Sequence, residues 1–296
     1  MNTADDCRLV VNQVGKQYGK KTALSGVSFE VGPGLYGFLG PNGAGKSTLF
    51  GIISGYIHQY AGSVLIPEVS QLHPVRVGVL PQTFIGYGEM KVGEFLLYMA
   101  SIKAPFVSRE EAVKDMNEKL SVFHLTEKKN MRLRTLSGGQ LRRLGIAQAF
   151  QYNPAVVLLD EPTTGLDPEE RISFKNYVAE QSEKEIILLS THIVSDLEES
   201  TKEIFIMNNG RLLLSGQEEE LLAKVRGKVF LVTAPSETEL YRKVGSYKIS
   251  SLSSDGELRA RVVTDGTVPC PGAAPVQADL NDVYIYTQMA SGHQQG

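Results

Sequence analysis

Two apolar patterns alternate along the chain. Short apolar runs at residues 35–39, 156–159 and 186–189, and one at 75–80 interrupted only by Arg76 and Gly78, have the length and the leucine and β-branched content of buried strands. Between them come segments with helical spacing. One covers residues 92–103. A second, 108–123, opens with the capping box Ser108 to Glu111 and puts Val113, Met116, Leu120 and Phe123 on one face. A third follows Ser137, repeats at Leu141, Leu144, Ala147 and Phe150, and stops at Pro154. Asp167, Pro168 and Glu170 read as N-cap, first-turn proline and capping-box acid of a helix running to about Lys184. Residues 8–31, joined by 62–66, predict an antiparallel β portion. After His192, Ser195 is expected to cap a short helix, Asn208-Asn209-Gly210 to make a hairpin turn, and residues 217–225 to form a helix. Strands alternating with helices in this way indicate an α/β fold.

The candidate chemistry lies where these elements join. Gly40-Pro41-Asn42-Gly43-Ala44-Gly45-Lys46-Ser47 follows the run at 35–39 and opens a helical stretch that ends at Gly55. Its G-x-x-x-x-G-K-S spacing is that of a phosphate cradle. Backbone N–H groups of a glycine-rich turn face a polyphosphate, and the helix N-terminus adds positive potential. Lys46 neutralises the β- and γ-phosphates, and the Ser47 hydroxyl ligates Mg²⁺. Asn42, Gly43, Ala44, Gly45 and Thr48 complete the candidate nucleotide-binding loop. The run at 156–159 ends in Asp160-Glu161-Pro162, as expected of a buried parallel strand that delivers two carboxylates at its C-terminal edge. One carboxylate can hold Mg²⁺ through water while the other polarises a water. Leu136-Ser137-Gly138-Gly139-Gln140 stands just before the third helical segment, with Ser137 as its N-cap. Taken alone, that Ser-Gly-Gly is also consistent with a plain cap and flexible turn.

With these motifs in this order, residues 8–225 resemble the ATP-binding cassette family, the ATPase subunits of membrane transporters. Residues 40–48 match its Walker A, 136–140 its signature and 156–161 its Walker B. Leu80-Pro81-Gln82 looks like its glutamine loop, Gly165-Leu166-Asp167 like its D-loop, and Ser190-Thr191-His192 like its switch histidine. Tyr18, shortly before Thr22-Ala23-Leu24, stands where the family places a ring on adenine. The resemblance implies a P-loop NTPase (RecA-like) core with an antiparallel β subdomain and a helical subdomain at about 83–153, with ATP and Mg²⁺ as cofactors. It implies that Ser47, Gln82 and Asp160 surround the metal, that Gln82 also reaches the attacking water and is catalytic with Glu161 and His192, that Glu161 is the general base or water-positioning group, and that His192 contacts the γ-phosphate. Each residue also has a plain alternative. Gln82 is then a surface polar group, Tyr18 a ring covering core, His192 a structural histidine and Asp167 only a helix cap. The family pattern further implies a partner cassette, with Ser137, Gly138, Gly139 and Gln140 of one chain facing the γ-phosphate held by Lys46 of the other and Asp167 near the interface. A homodimer would have two competent sites, and a heterodimer is compatible with the same sequence. A separate integral membrane permease is implied too, with Phe84, Ile85, Tyr87 and Met90 as candidate contacts.

Residues 1–226 are expected to form the nucleotide-binding domain, and 227–296 a small α+β accessory unit. Within the latter, 228–234 reads as a strand, 236–244 as a helix and 247–263 as a hairpin around Asp255-Gly256. No chemistry is visible there. The Pro/Gly/Ala stretch 269–275 leads to Leu280-Asn281-Asp282-Val283-Tyr284, which looks like a C-terminal element of bacterial cassettes serving exporter-type permeases, with Asn281 where the family usually has Glu. Composition narrows the setting. A balance of 33 acidic against 30 basic residues leaves no electrostatic footprint for nucleic acid, so no direct nucleic-acid partner is expected. No apolar stretch approaches the roughly twenty residues of a membrane span, and the acidic residues of the first seven positions do not suit a secretory signal. Cys7 and Cys270, far apart and outside any C-x-x-C pattern, suit free thiols in a reducing compartment. The expected location is cytoplasmic, peripheral on the inner face of the cell membrane. Two other classes stay open. A soluble cassette acting on ribosomes or nucleic acid is disfavoured by the lack of a second cassette, a coiled-coil insertion and a basic tail. A degenerate cassette is disfavoured by the intact Lys46, Gln82, Glu161 and His192.

Overall fold

The computed structural model describes residues 7–68, 75–197, 201–255 and 257–292. The acidic N-terminal residues 1–6 and Gly256, at the expected hairpin turn, lie outside them. Strands β1 (Leu9–Tyr18), β2 (Lys21–Val31) and, further along, β4 (Ala61–Leu65) form an antiparallel sheet in the order β2-β1-β4. This is the antiparallel portion expected from residues 8–31 and 62–66. Between them β3 (Gly34–Leu39) runs into helix α1 (Lys46–Ile53). β3 is an inner strand of a six-stranded sheet. With β5 (Val77–Leu80), β6 (Val156–Asp160), β7 (Ile186–Thr191), β8 (Glu203–Asn208) and β9 (Arg211–Gly216), the order is β5-β6-β7-β3-β8-β9. Its pairings are parallel except for the β8/β9 hairpin. That hairpin turns at Asn209 and Gly210, both at positive φ (47° and 74°), as the tight turn between these strands requires.

Strand periodicity divides the core into two layers. Leu35, Leu39, Val157, Leu159, Ile187 and Leu189 face one side, and Tyr36, Phe38, Val156, Leu158, Ile186 and Leu188 the other. The first layer packs under α2 (Val92–Lys103), α3 (Arg109–Val122), α4 (Gly138–Ala149) and α5 (Pro168–Gln181). The second packs α1 and the antiparallel sheet, where Phe38 stacks on Phe205 at 4.8 Å and meets the edge of Phe50 at 5.7 Å. Both expected capping boxes form, Ser108 with Glu111 and Asp167 with Glu170, and the expected N-cap Ser137 forms one as well, with Gln140. The helix after Asp167 stops three residues short of Lys184. The short helix expected after Ser195 would run through residues 198–200, outside the described residues. Thr191 Oγ1 accepts from Ile193 N at 2.9 Å and starts a single 3₁₀ turn, Val194–Asp196, that contains Ser195.

Beyond α6 (Glu218–Ala223), strand β10 (Val229–Ala234), helix α7 (Glu237–Val244), β11 (Lys248–Asp255) and β12 (Glu257–Val263) make the expected α+β unit. A two-residue strand, β13 (Ala274–Pro275), closes the order β11-β12-β10-β13 on the edge of β10, within a stretch that sequence pattern leaves as a loop. Helix α8 (Leu280–Gly292) sends Leu280 and Val283 into the first core layer. Asn281 is exposed on it, so its difference from glutamate has no packing consequence. No helix among the described residues is long and apolar enough to cross a membrane.

Beneath α3 and α5 the core holds polar groups as well. Glu185 is 2 % exposed, and burial pushes its carboxyl from 4.5 up to about 8 against the pull of Lys119 and Lys184. A native pKa raised in this way means that the folded state holds the proton more tightly, so stability falls as pH rises from about 4.5 to about 8. Glu185→Gln mimics the protonated form. Its unfolding free energy from urea titration, relative to the parent, should rise steadily across that window, by a few kcal/mol at most, since one pKa unit corresponds to about 1.4 kcal/mol. A pH-independent difference would refute this account.

Candidate functional site

The loop between β3 and α1 wraps Lys46. The ammonium, on a residue only 6 % exposed, donates to Gly40 O at 2.6 Å and Pro41 O at 3.3 Å. Burial pushes it below its ordinary pKa range, and the negative charges of Glu161 and Asp160 push back. Gly45 precedes the helix at φ 106°, and a Cβ there would stand 2.6 Å from Ala23 O, so glycine is needed both for the conformation and for the close approach of β2. On the same side of the loop, next to Ala23, Gly210 N donates to Ala44 O at 2.9 Å, so the β8/β9 turn braces the cradle together with β2.

The loop opens on a cavity of about 290 Å³ lined by Tyr18, Lys21, Ala23, residues 42–48, Gln82, Asp160 and Glu161. This brings together the ring, the cradle, the glutamine and both carboxylates singled out in the sequence. Lys21 and Ala23, which no motif marked, also line it. Tyr18 is half exposed (49 %), with Lys16 Nζ 5.0 Å from its ring centroid.

Both carboxylates are buried at the C-terminal end of β6. Asp160 Oδ1 accepts from Ser190 Oγ on the neighbouring strand. Glu161 adopts a left-handed backbone (φ 52°), a conformation uncommon for a residue with a side chain, and its N–H donates to Ser190 O at 2.9 Å. Its Oε1 lies 2.9 Å from His192 Nδ1, and its Oε2 lies 3.5 Å from Thr191 Oγ1. The Glu161 side chain is 6 % exposed and that of His192 53 %, so the imidazole covers the carboxylate from the solvent side. The Ser190 hydroxyl thus holds Asp160, whereas Thr191 Oγ1 lies nearer to Asp196 Oδ2, at 3.2 Å, than to Glu161.

Ser137, Gly138, Gly139 and Gln140 do not line this cavity. Ser137 and Gly138 are exposed at the start of α4, where Gln140 N donates to Ser137 Oγ at 3.2 Å and Ser137 N to Gln140 Oε1 at 3.0 Å. They lie close to the Gly165-Leu166-Asp167 turn, since a Cβ on Gly139 would stand 3.1 Å from Gly165 O. Asp167 Oδ1 accepts from Glu170 N at 2.8 Å and is exposed. Arg143 on the same helix reaches Glu170 at 3.0 Å. One chain thus presents two separate surfaces, a cavity with the cradle and carboxylates and an exposed Ser-Gly-Gly helix start. Sequence pattern missed Arg142, a buried residue of α4 whose guanidinium binds the carbonyls of Asp160 and Glu161. Its place in an amphipathic helix gives no local signal of that role.

Comparison with known proteins agrees with this geometry. A family model described as ABC transporter matches residues 24–164. An uncharacterised ABC transporter ATP-binding protein of Bacillus subtilis is 30 % identical over 232 residues, 78 % of this chain and 78 % of the relative. The linearmycin resistance ATP-binding protein of the same organism is 30 % identical over 75 % of this chain and 73 % of its own length. The Nod factor export ATP-binding protein I of Rhizobium etli is 34 % identical over 80 % and 77 %. Among solved structures, one described as the ATP binding subunit of an ABC transporter superposes with a TM-score of 0.65 at 27 % identity, covering 73 % of this chain and 92 % of that one. Another, described as a dimeric structure of a bacterial ABC transporter cassette, shares the fold with a TM-score of 0.63 at 24 % identity over 71 % and 98 %. The α/β architecture is therefore the P-loop NTPase fold with an antiparallel β subdomain, and the chain belongs to the ABC transporter family as an ATP-binding cassette with ATPase activity.

Proposed function

We propose that this cassette is the motor subunit of an export-type transporter, coupling ATP-driven closure of a cassette pair to movement of substrate through a separate membrane permease. The observation that carries the reading is the convergence of Lys46, Ser47, Gln82, Asp160 and Glu161 on one cavity, with the signature Ser137-Gly138-Gly139-Gln140, exposed at Ser137 and Gly138, lying outside it. A site built this way lacks the glycine amides and helix N-terminus that would complete the shell around the γ-phosphate. A second cassette, identical or related, can supply them. Such contacts exist with ATP and are lost with ADP, so nucleotide biases the pair between closed and open states. The name of the relative for Nod factor export supports the export reading, in which the working protein would lie on the inner face of the membrane. Residues 1–226 would form the motor domain and 227–296 an accessory unit.

Within the cavity, the adenine would lie on Tyr18 and the phosphates in residues 42–48. Ser47, Gln82 and Asp160 offer a hydroxyl, an amide and a carboxylate, the hard oxygen donors that Mg²⁺ accepts. When bound, the ion would neutralise charge on the β- and γ-phosphates. Glu161 would polarise the attacking water, and His192, hydrogen-bonded to it, would orient the carboxylate and reach the γ-phosphate. Ile85 (71 % exposed) and Tyr87 (54 %) are the accessible apolar residues after Gln82 that a permease segment would cover, whereas Phe84 and Met90 are partly buried against the core.

Glu161→Gln should keep ATP affinity and lose at least about 100-fold in phosphate release. Turnover at the parent rate would remove Glu161 from its assigned role. Tyr18→Ala should raise the KM for ATP about tenfold while Tyr18→Phe stays near the parent, because stacking needs the ring and not the hydroxyl. Equal effects of the two substitutions would count against adenine stacking. For the transport reading, the Glu161→Gln protein held in ATP and purified from gently solubilised host membranes should bring down a polypeptide with several transmembrane helices. Recovery with ribosomes or DNA and no membrane protein would replace the transporter by a soluble regulator.

A further inference from the structure

The signature helix carries a buried cation that none of these roles uses. Arg142 lies within the first turns of α4 and is 7 % exposed. Its Nη1 donates to Pro81 O at 2.9 Å and Gln82 O at 3.0 Å, and its Nη2 to Glu161 O at 2.5 Å and to Asp160 O. Its Nε lies 3.3 Å from Pro162 O. Burial pulls the guanidinium below its ordinary pKa range while the charges of Asp160 and Glu161 oppose the shift. The five N–H groups of a planar guanidinium are directed here at five backbone carbonyls from two loops, 60 to 61 residues away on one side and 18 to 20 on the other. A buried arginine bound in this way fixes the path of the main chain.

Both loops need a fixed path. Glu161 holds a left-handed backbone, from which its carboxylate meets His192, and Gln82 lines the cavity with Asp160 and Glu161. We infer that Arg142 is a positioning residue for ATP hydrolysis, holding the backbones of Gln82 and Glu161 together so that their side chains act on one phosphate. The inference rests on the roles assigned above to Gln82 and Glu161. Because Arg142 belongs to the helix that begins with Ser137-Gly138-Gly139-Gln140, a displacement of that helix start is transmitted to both loops at once. Lysine, with one ammonium on a flexible stem, cannot span five carbonyls.

The test compares Arg142→Met and Arg142→Lys with the parent and with Glu161→Gln. Arg142→Met should bind ATP within about threefold of the parent and keep its KM, yet lose roughly 100-fold in kcat, the pattern of an interaction that matters only at the chemical step. Arg142→Lys should recover about tenfold of that loss, because it keeps the charge and some of the hydrogen bonds. Hydrogen exchange should quicken in peptides covering residues 78–86 and 158–166 and stay unchanged over 40–50. A parent-like kcat in Arg142→Met would overturn the inference. So would parallel losses of thermal midpoint, ATP affinity and turnover in both variants, which would make Arg142 a fold residue only. If Arg142→Met does not fold, Arg142→Lys decides: normal affinity with reduced kcat supports the inference, and a parent kcat overturns it. Parent-rate hydrolysis by Glu161→Gln would sink the role of that carboxylate separately, since the Arg142 variants are judged on their own kcat.

Discussion

Lys46 places one ammonium out of water at the point where three buried strands end, and the surrounding structure makes that burial tolerable. An unpaired buried charge costs more than a single hydrogen bond returns. The loop therefore folds back so that the carbonyls of Gly40 and Pro41 face Nζ, and the opposite charge comes from Asp160 and Glu161. Those carboxylates do not lie on the strand next to the cradle. β7 stands between β3 and β6, pairing Leu39 with Thr191 on one side and Asp160 with Ser190 on the other. Sheet register thus sets the distance between cation and carboxylates. A slip of one residue in either pairing would turn these side chains to the opposite face, leaving the ammonium buried without its counter-charge. The unbroken apolar sequences of the three strands hold that register by filling both core layers at once.

What the sequence made legible was local. The cradle, the two capping boxes, the Ser137 cap and helix Val92–Lys103 are each specified within a dozen residues, and each stands as read. Where reading failed, a contact from outside the window decided the outcome. Ala274–Pro275 has no strand pattern and pairs only because β10 offers an open edge. Neither the left-handed backbone of Glu161 nor the carbonyl partners of Arg142 are written near those residues. They arise when the turn after β6, the loop after β5 and helix α4 meet in the fold. The residues that touch nucleotide were therefore easier to find than the residues that hold them in place.

The same reasoning bears on the C-terminal unit, whose sequence shows no chemistry. Asp282 is fully buried, yet its carboxylate is well satisfied. It accepts from Arg261 at 2.5 Å, from Asp279 N at 2.9 Å and from Ser250 Oγ, so α8 is locked to β11 and β12 at its first turn. From that anchor α8 crosses back onto the cassette. Leu280 and Val283 enter its core, and Gln288 hydrogen-bonds Asn208, the last residue of β8. Two residues later Gly210 N binds Ala44 O in the cradle. A short chain of bonded contacts therefore runs from the accessory sheet to the backbone that surrounds the phosphates.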